Sequence, residues 1–121
     1  MGLKDYISNN AETKELHSNQ DLRSRYYKAN YKKVKAEVEE YSKNKNIEVK
    51  HVDDVHGEIF LQTNSYHMIV SIVQVTPLES AVDMKVQTYK LAGMNVPKKL
   101  IIEMYAYLDT KLTFKGTSLH P

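Results

Sequence analysis

The sequence predicts an α+β domain in which a helix, a four-stranded antiparallel meander and a second helix form a two-layer sandwich, preceded by a polar N-terminal arm. Three observations support this prediction. Apolar residues recur with the period of a helix over residues 30–44, alternate with the period of a strand over residues 47–87, and return to helical spacing after Pro97. Short connections favour antiparallel neighbours, so both helices are expected on one face of the sheet.

The two helices have recognisable ends. Asn30 is a suitable N-cap for the first helix, because its side chain can accept a hydrogen bond from an unpaired backbone N–H. Pro97 fits the first turn of the second helix, where its missing N–H costs nothing. The apolar stripes are Tyr31, Val34, Val38 and Tyr41 on the first helix, and Leu100, Ile101, Met104, Tyr105, Leu108 and Leu112 on the second.

Four strands are predicted between the helices. The first two are separated by a turn signal at residues 53–57, and the third spans Tyr66 to Thr76 and ends at Pro77. The fourth alternates apolar residues with Asp83, Lys85 and Gln87, which indicates that one of its faces is solvated.

The segment before the first helix is predicted to lie outside the domain. Residues 9–24 contain only three apolar side chains, too few to bury the surface that would fix this segment in place. We therefore predict a polar arm over residues 1–29 and a single α+β domain over residues 30–121. Within the arm, one short helical turn is indicated by the spacing of Leu3, Tyr6 and Ile7.

The composition excludes several classes of protein. Of the 121 residues, 41% are hydrophobic and 26% charged, as expected for an ordinary globular domain. The absence of cysteine excludes disulfide scaffolds, thiol catalysis and cysteine-ligated metal centres. A net charge of +2 gives no general attraction for nucleic acid. No segment has the apolar length of a signal peptide or membrane helix, so we predict a cytoplasmic protein with no membrane partner.

The third strand is apolar on both faces, which a sheet with one solvated face does not require. Alternation divides these side chains into two sets, Met68, Val70 and Ile72 on one face and Ile69, Val73 and Val75 on the other. The pattern does not show which set packs against the helices. The second face needs a cover, because a large uncovered apolar patch is unusual on a monomer. A folded-over loop, a second copy of the chain and a small apolar ligand are the alternatives.

A basic and aromatic segment over residues 22–36 is a second candidate site. Arginine side chains bind phosphates through two parallel hydrogen bonds, and tyrosine rings stack on bases. Three glutamates follow at once and favour a solvated helix face instead. Contact with an anion or a nucleic acid is therefore the alternative, and it would use Arg23, Arg25, Lys28, Lys32 and Lys33.

Catalytic signals are weak. His51, Asp53 and His56, together with His67, could form a metal-dependent or hydrolytic site, but the same residue types are ordinary in hairpin turns. No metal-ligand spacing, phosphate-binding loop or nucleophile motif is present. We therefore predict no metal and no cofactor, with a small enzyme that lacks a recognisable motif as an alternative.

Nine tyrosines are a further compositional signal. Tyr66, Tyr89 and Tyr107 are candidates for a half-exposed contact surface, because tyrosine is favoured at protein interfaces. Together with the two-faced third strand, this favours a non-enzymatic binding or protein-interaction domain. We expect it to associate with itself through the sheet, as a homodimer.

Three strings also resemble a known family: Met1-Gly2-Leu3-Lys4-Asp5-Tyr6, Tyr26-Tyr27-Lys28 and Pro77-Leu78-Glu79-Ser80-Ala81-Val82-Asp83. They are similar to small cytosolic proteins of unknown function from Gram-positive bacteria. The resemblance spans most of the chain, and it implies no activity and no site residues.

Overall fold

Two helices pack against one face of an antiparallel sheet in the computed structural model, which describes residues 10–89 and 96–117. The α+β class is therefore confirmed. The helical turn predicted at Leu3, Tyr6 and Ile7 lies outside the described residues. Neither helix in the described part of the chain has the length and apolarity that crossing a membrane requires.

Both helices occupy the predicted segments. Helix α1 spans Tyr31–Asn44, and the side chain of Asn30 accepts a hydrogen bond from the backbone N–H of Lys33, as an N-cap should. Helix α2 spans Val96–Lys111, with Pro97 in its first turn. The predicted stripes supply the buried side chains Val34, Val38, Tyr41, Ile101, Met104, Tyr105 and Leu108.

The sheet is larger than the predicted four-stranded meander. Its strands are β1 (Asn10–Glu12), β2 (Arg25–Tyr27), β3 (Glu48–Asp53), β4 (Glu58–Gln62), β5 (Tyr66–Thr76), β6 (Glu79–Thr88) and β7 (Phe114–Gly116). A short 3-10 helix, Gln20–Leu22, lies between β1 and β2. Within the described residues the sheet has seven strands, in the order β3-β4-β5-β6-β2-β7, and β1 also pairs with β6.

The additional strands come from the predicted arm and from the C-terminal tail. β1 pairs with residues 85–87 of β6, and β2 pairs with residues 80–82 along the same edge. β7 then adds to the outer edge of β2. Each of the three strands has only three residues, too few to show an alternating pattern. Residues 10–27 are thus part of the sheet, and the meander of β3 to β6 is its middle.

The turn between β3 and β4 depends on a glycine. Gly57 has a φ of +70°, a backbone conformation that side chains with a Cβ rarely adopt. A Cβ at this position would lie 2.2 Å from the backbone oxygen of Ile72. The Gly57 carbonyl also accepts a hydrogen bond of 2.7 Å from the Ile72 N–H, so the turn is held against β5.

The core lies between the helices and one face of β4, β5 and β6. Met68, Val70 and Ile72 of β5 point into it and are 2%, 0% and 3% exposed. They pack with buried residues of the neighbouring strands, Ile59, Leu61, Val82, Met84 and Val86. The face of the sheet opposite the helices is called the open face below.

Candidate binding surface

The open face carries the second apolar set of β5. Ile69 is partly buried there, whereas Val73 and Val75 are 58% and 41% exposed. The first set, Met68, Val70 and Ile72, is covered by the helices. Of the six apolar residues predicted as an interface or ligand site, the structure thus offers Ile69, Val73 and Val75 to a partner.

A trough of about 690 Å³ runs along the open face. Its volume falls within the range of roughly 300–1,000 Å³ that is usual for ligand pockets. Apolar side chains form much of its lining: Tyr26, Ile69, Val73, Val75 and Ala81. The structure therefore shows a concave apolar surface where the sequence predicted only a spare apolar strand face.

Cross-strand pairing arranges the open face in rows that run perpendicular to the strands. We call them the lysine row (Phe60, Ile69 and Lys85), the acidic row (Glu58, Ser71 and Asp83) and the apolar row (Val73, Ala81 and Tyr26). Successive rows are two residues apart on each strand, or about 6.8 Å. A polar row thus crosses the trough between two rows that are largely apolar.

Asp83 in the acidic row anchors the two short N-terminal strands. Its Oδ1 accepts hydrogen bonds from the hydroxyls of Thr13 and Ser24, both at 2.6 Å. The Thr13 hydroxyl also accepts a 2.8 Å hydrogen bond from the backbone N–H of Met84, and the Thr13 N–H donates to the Met84 carbonyl. Both hydroxyl residues are buried. A single carboxylate therefore ties the segments that follow β1 and precede β2 to β6.

The rim of the trough is also internally paired. The hydroxyl of Tyr26 donates a 2.9 Å hydrogen bond to Glu15, and burial together with that carboxylate raises the pKa of Tyr26 to about 12. Lys85 and Glu12 are 3.5 Å apart and both exposed, so this ion pair is weak. Tyr26 therefore stays neutral at any physiological pH and keeps donating its hydrogen bond to Glu15.

A smaller cavity of about 250 Å³ adjoins the trough on the side of β3. Its walls include the His51 and Phe60 rings, whose centroids are 5.6 Å apart, and His67. The His67 Nδ1 lies 3.1 Å from the Tyr89 hydroxyl, which also accepts a hydrogen bond from Gln62. Imidazole and aromatic groups thus extend the open face beyond the lysine row.

The three candidate contact tyrosines lie at different places. Tyr89 is half-exposed beside His67. Tyr66 is partly buried against the core. Tyr107 packs on Tyr41 of α1, with ring centroids 5.1 Å apart, and so belongs to the contact between the helices. Of the three, only Tyr89 adjoins the residues that line the open face.

The basic segment does not form one continuous patch. The Arg25 side chain points towards α2, and its Nη2 donates a 2.8 Å hydrogen bond to the carboxylate of Asp109. The Cζ of Arg25 also lies 3.9 Å from the ring centroid of Phe114 in β7. The Arg23 side chain donates to the backbone oxygen of His17. Lys33 pairs with Glu37, while Lys28 and Lys32 are exposed. Binding of an anion or nucleic acid by this segment stays a prediction, with salt-dependent binding as its test.

The histidines and carboxylates of the possible metal site are separated. His56 and Asp53 pair with each other at 2.7 Å in the β3–β4 turn, whereas His51 and His67 lie beside the smaller cavity. The carboxylate raises the pKa of His56 above its usual value. Among residues 10–89 and 96–117, no three metal-ligating side chains are placed to hold a metal ion.

Sequence reasoning missed several residues of the open face. Phe60, Ser71 and Ala81 were not singled out. Alternation along β5 places Ser71 on the same face as Ile69 and Val73, whereas Phe60 and Ala81 are placed there by strand pairing. The contribution of Tyr26 had no signal, since it depends on the pairing of β2 with β6. Thr13 and Ser24 lie in a segment without periodicity, and their partner Asp83 is about 60 to 70 residues further along the chain.

The fold and the surface define a two-layer α+β protein with helices on one face of the sheet and an apolar trough on the other. The chain matches no protein-family model, and no curated protein and no solved structure shows significant similarity to it. The resemblance to small proteins of Gram-positive bacteria therefore stays a prediction.

Proposed function

We propose that this protein is a binding or protein-interaction domain that contacts its partner through the open face of the sheet. The observation that carries the proposal is the trough, which combines a volume of about 690 Å³ with the exposed side chains of Val73 and Val75. Exposed apolar side chains that line a groove with a polar rim are typical of interaction sites and ligand-binding grooves. A partner that covers it would gain from the removal of apolar surface from water.

The polar groups around the trough are paired with other groups of the same chain, which favours a contact surface that is already formed. Asp83 accepts two hydroxyl donors, Tyr26 donates to Glu15, and Lys85 lies next to Glu12. The hydrogen bonds of Asp83 and Tyr26 fix the rim on the side of β1 and β2, so a partner would meet a largely preformed surface there. Preformed surfaces bind with a smaller loss of conformational entropy than surfaces that must first become ordered.

Native mass spectrometry, with light scattering at two protein and two salt concentrations, tests the proposal. We expect additional mass on the chain, either a second copy or a co-purified small molecule. The Val73→Asp variant should lose that mass, because it places a charge in the apolar row. The matched control is Val55→Asp, since Val55 is 89% exposed in the β3–β4 turn.

One combined result would contradict the proposal. It is a wild-type chain that is monomeric and carries no added mass, and whose binding of the dye 1-anilinonaphthalene-8-sulfonate is the same in Val73→Asp. In that case the open face binds nothing, and its apolar residues are only an exposed part of the sheet.

A further inference from the structure

We infer that the partner of the open face is a second copy of this chain, packed sheet against sheet around a two-fold axis. This inference rests on the proposed function and adds the identity of the partner. It is supported by the charge pattern of the open face and by its area.

The charge pattern is complementary to itself. The lysine row contains Lys85, whose exposed side chain is only weakly paired with Glu12 on the neighbouring strand. The adjacent acidic row contains Glu58 and Asp83. The proposed two-fold axis lies midway between the two stacked sheets, runs perpendicular to the strands, and passes between these two rows. Rotation about this axis brings the lysine row of one copy to the position opposite the acidic row of the other copy. Lys85 then faces Asp83 of the partner subunit. Because a two-fold interface makes every contact twice, this attraction is doubled.

The apolar residues fit the same arrangement. On β5 the axis passes at the level of Val70, so Ile69 of one copy faces Ser71 of the partner subunit. Phe60 and Ile69 then lie in the middle of the contact, with Val73 and the smaller cavity towards its ends. The contact would thus combine apolar side chains near the axis with the charged side chains of the same two rows.

The area of the open face is sufficient for a specific dimer. Five strands across, with β1 and β2 sharing one position, span about 24 Å, and the rows from His67 to Val73 span about 27 Å when half a spacing is added at each end. β3 and β4 end at the row of Ser71, so only three of the five strand positions overlap in each of the two outer rows. The footprint is therefore about 520 Å² per copy, or about 1,050 Å² in total. A specific interface buries at least about 1,000 Å² in total.

Sedimentation equilibrium of a charge-reversal variant tests this inference. Lys85→Glu would place acidic groups opposite each other twice in the dimer. We therefore expect the dissociation constant of the dimer to rise by on the order of a hundredfold. The side chain is exposed, so the variant should keep its fold. The matched control is Lys99→Glu, because Lys99 is exposed in the first turn of α2 on the other side of the sheet. The wild-type dimer should also weaken at high salt.

Cross-linking provides a second readout. Since the chain has no cysteine, Ser71→Cys introduces a single thiol near the proposed axis. We expect a short bismaleimide to link two copies of this variant and to leave the Val55→Cys control unlinked.

The outcomes separate this inference from the proposed function. A monomer that carries a small molecule, lost in Val73→Asp, overturns the dimer and leaves the binding domain in place. A bare monomer whose dye binding is the same in Val73→Asp overturns both. A dimer unaffected by Lys85→Glu, and not linked through Ser71→Cys, uses another surface and also overturns the inference. If Val73→Asp fails to fold, the Lys85→Glu variant and the cross-link through Ser71→Cys still test the dimer.

Discussion

Removing the Asp83 carboxylate should loosen the N-terminal strands from the sheet. In Asp83→Ala, the buried hydroxyls of Thr13 and Ser24 both lose a charged acceptor at 2.6 Å. A hydrogen bond to a charged group contributes about 1.5–3 kcal/mol. Two such bonds give an upper limit of about 6 kcal/mol, and the relief of the carboxylate's own desolvation lowers this. We expect a loss of about 3 kcal/mol in the free energy of unfolding.

Asp83→Asn separates the charge from the geometry. The amide oxygen can still accept both hydroxyl protons, but a neutral hydrogen bond contributes only about 0.5–1.5 kcal/mol. The difference is about 1 kcal/mol for each bond, so we expect this variant to lose about 2 kcal/mol. Urea denaturation followed by circular dichroism measures both variants, and the slope of the transition should stay unchanged.

A double-mutant cycle tests whether the hydroxyl contacts are the cause. Ser24→Ala should be costly in the wild-type background and nearly neutral in Asp83→Ala, because its partner is already missing. Glu48→Ala, which removes an exposed carboxylate from β3, is the control and should change stability by less than about 0.5 kcal/mol. The reasoning is refuted if Asp83→Ala costs no more than this control, or if the two substitutions add without coupling.

Three further predictions concern the β3–β4 turn and β2. Gly57→Ala should cost about 2–4 kcal/mol in urea denaturation, since it combines a positive φ with a Cβ 2.2 Å from a backbone oxygen of β5; a loss below about 0.5 kcal/mol would contradict this. In an NMR titration, His56 should titrate above its ordinary pKa of 6.5 and return towards it in Asp53→Asn, because the pair raises the pKa of His56 and lowers that of Asp53. The contribution of His56 is complete below pH 6.5 and lost as the pH rises through its raised pKa, whereas that of Asp53 is complete above pH 3.8 and lost as the pH falls through its lowered pKa. The turn is therefore most stable between those two values, and identical titrations of the two proteins would rule the pairing out. The hydroxyl of Tyr27 donates a 2.8 Å hydrogen bond to Asp109 on α2, and burial together with this carboxylate raises the pKa of Tyr27 well above its ordinary range. Tyr27→Phe removes the hydrogen bond and should lower the free energy of unfolding by about 1–2 kcal/mol. An unchanged urea midpoint would show that the hydroxyl contributes nothing.

The elements that the sequence predicted well are those long enough to repeat a period. α1, α2 and β5 each bury a face over three or more repeats, so the pattern identifies them directly. β1, β2 and β7 have three residues each, and they join the sheet through backbone pairing and through contacts with residues far away in the chain. Such contacts leave no local pattern, and the segment before Asn30 therefore resembled a polar arm.

The face of β5 that meets the helices was undecided for a different reason. The turn pairs Thr76 with Glu79, and extending that register without interruption would place Val70 opposite Lys85, on the solvated face of β6. A bulge between Gln74 and Thr76 shifts the register by one residue, and Val70 pairs with Met84 instead. A one-residue shift exchanges the two faces of a strand. The bulge therefore decides which apolar set becomes core, and nothing in the local sequence marks it.

The segment that the sequence described least well is also the one that makes the open face large enough for a partner. Without β1 and β2, the face would be four strands wide, or about 19 Å, and two copies would bury only about 800 Å². That is below the area of about 1,000 Å² that a specific interface buries, and β6 would also keep an unpaired edge. With β1 and β2 in place, the width rises to about 24 Å and the edge of β6 is covered. Asp83 holds both strands there while it belongs to the acidic row, so the anchoring of the N-terminal segment and the proposed contact depend on the same carboxylate.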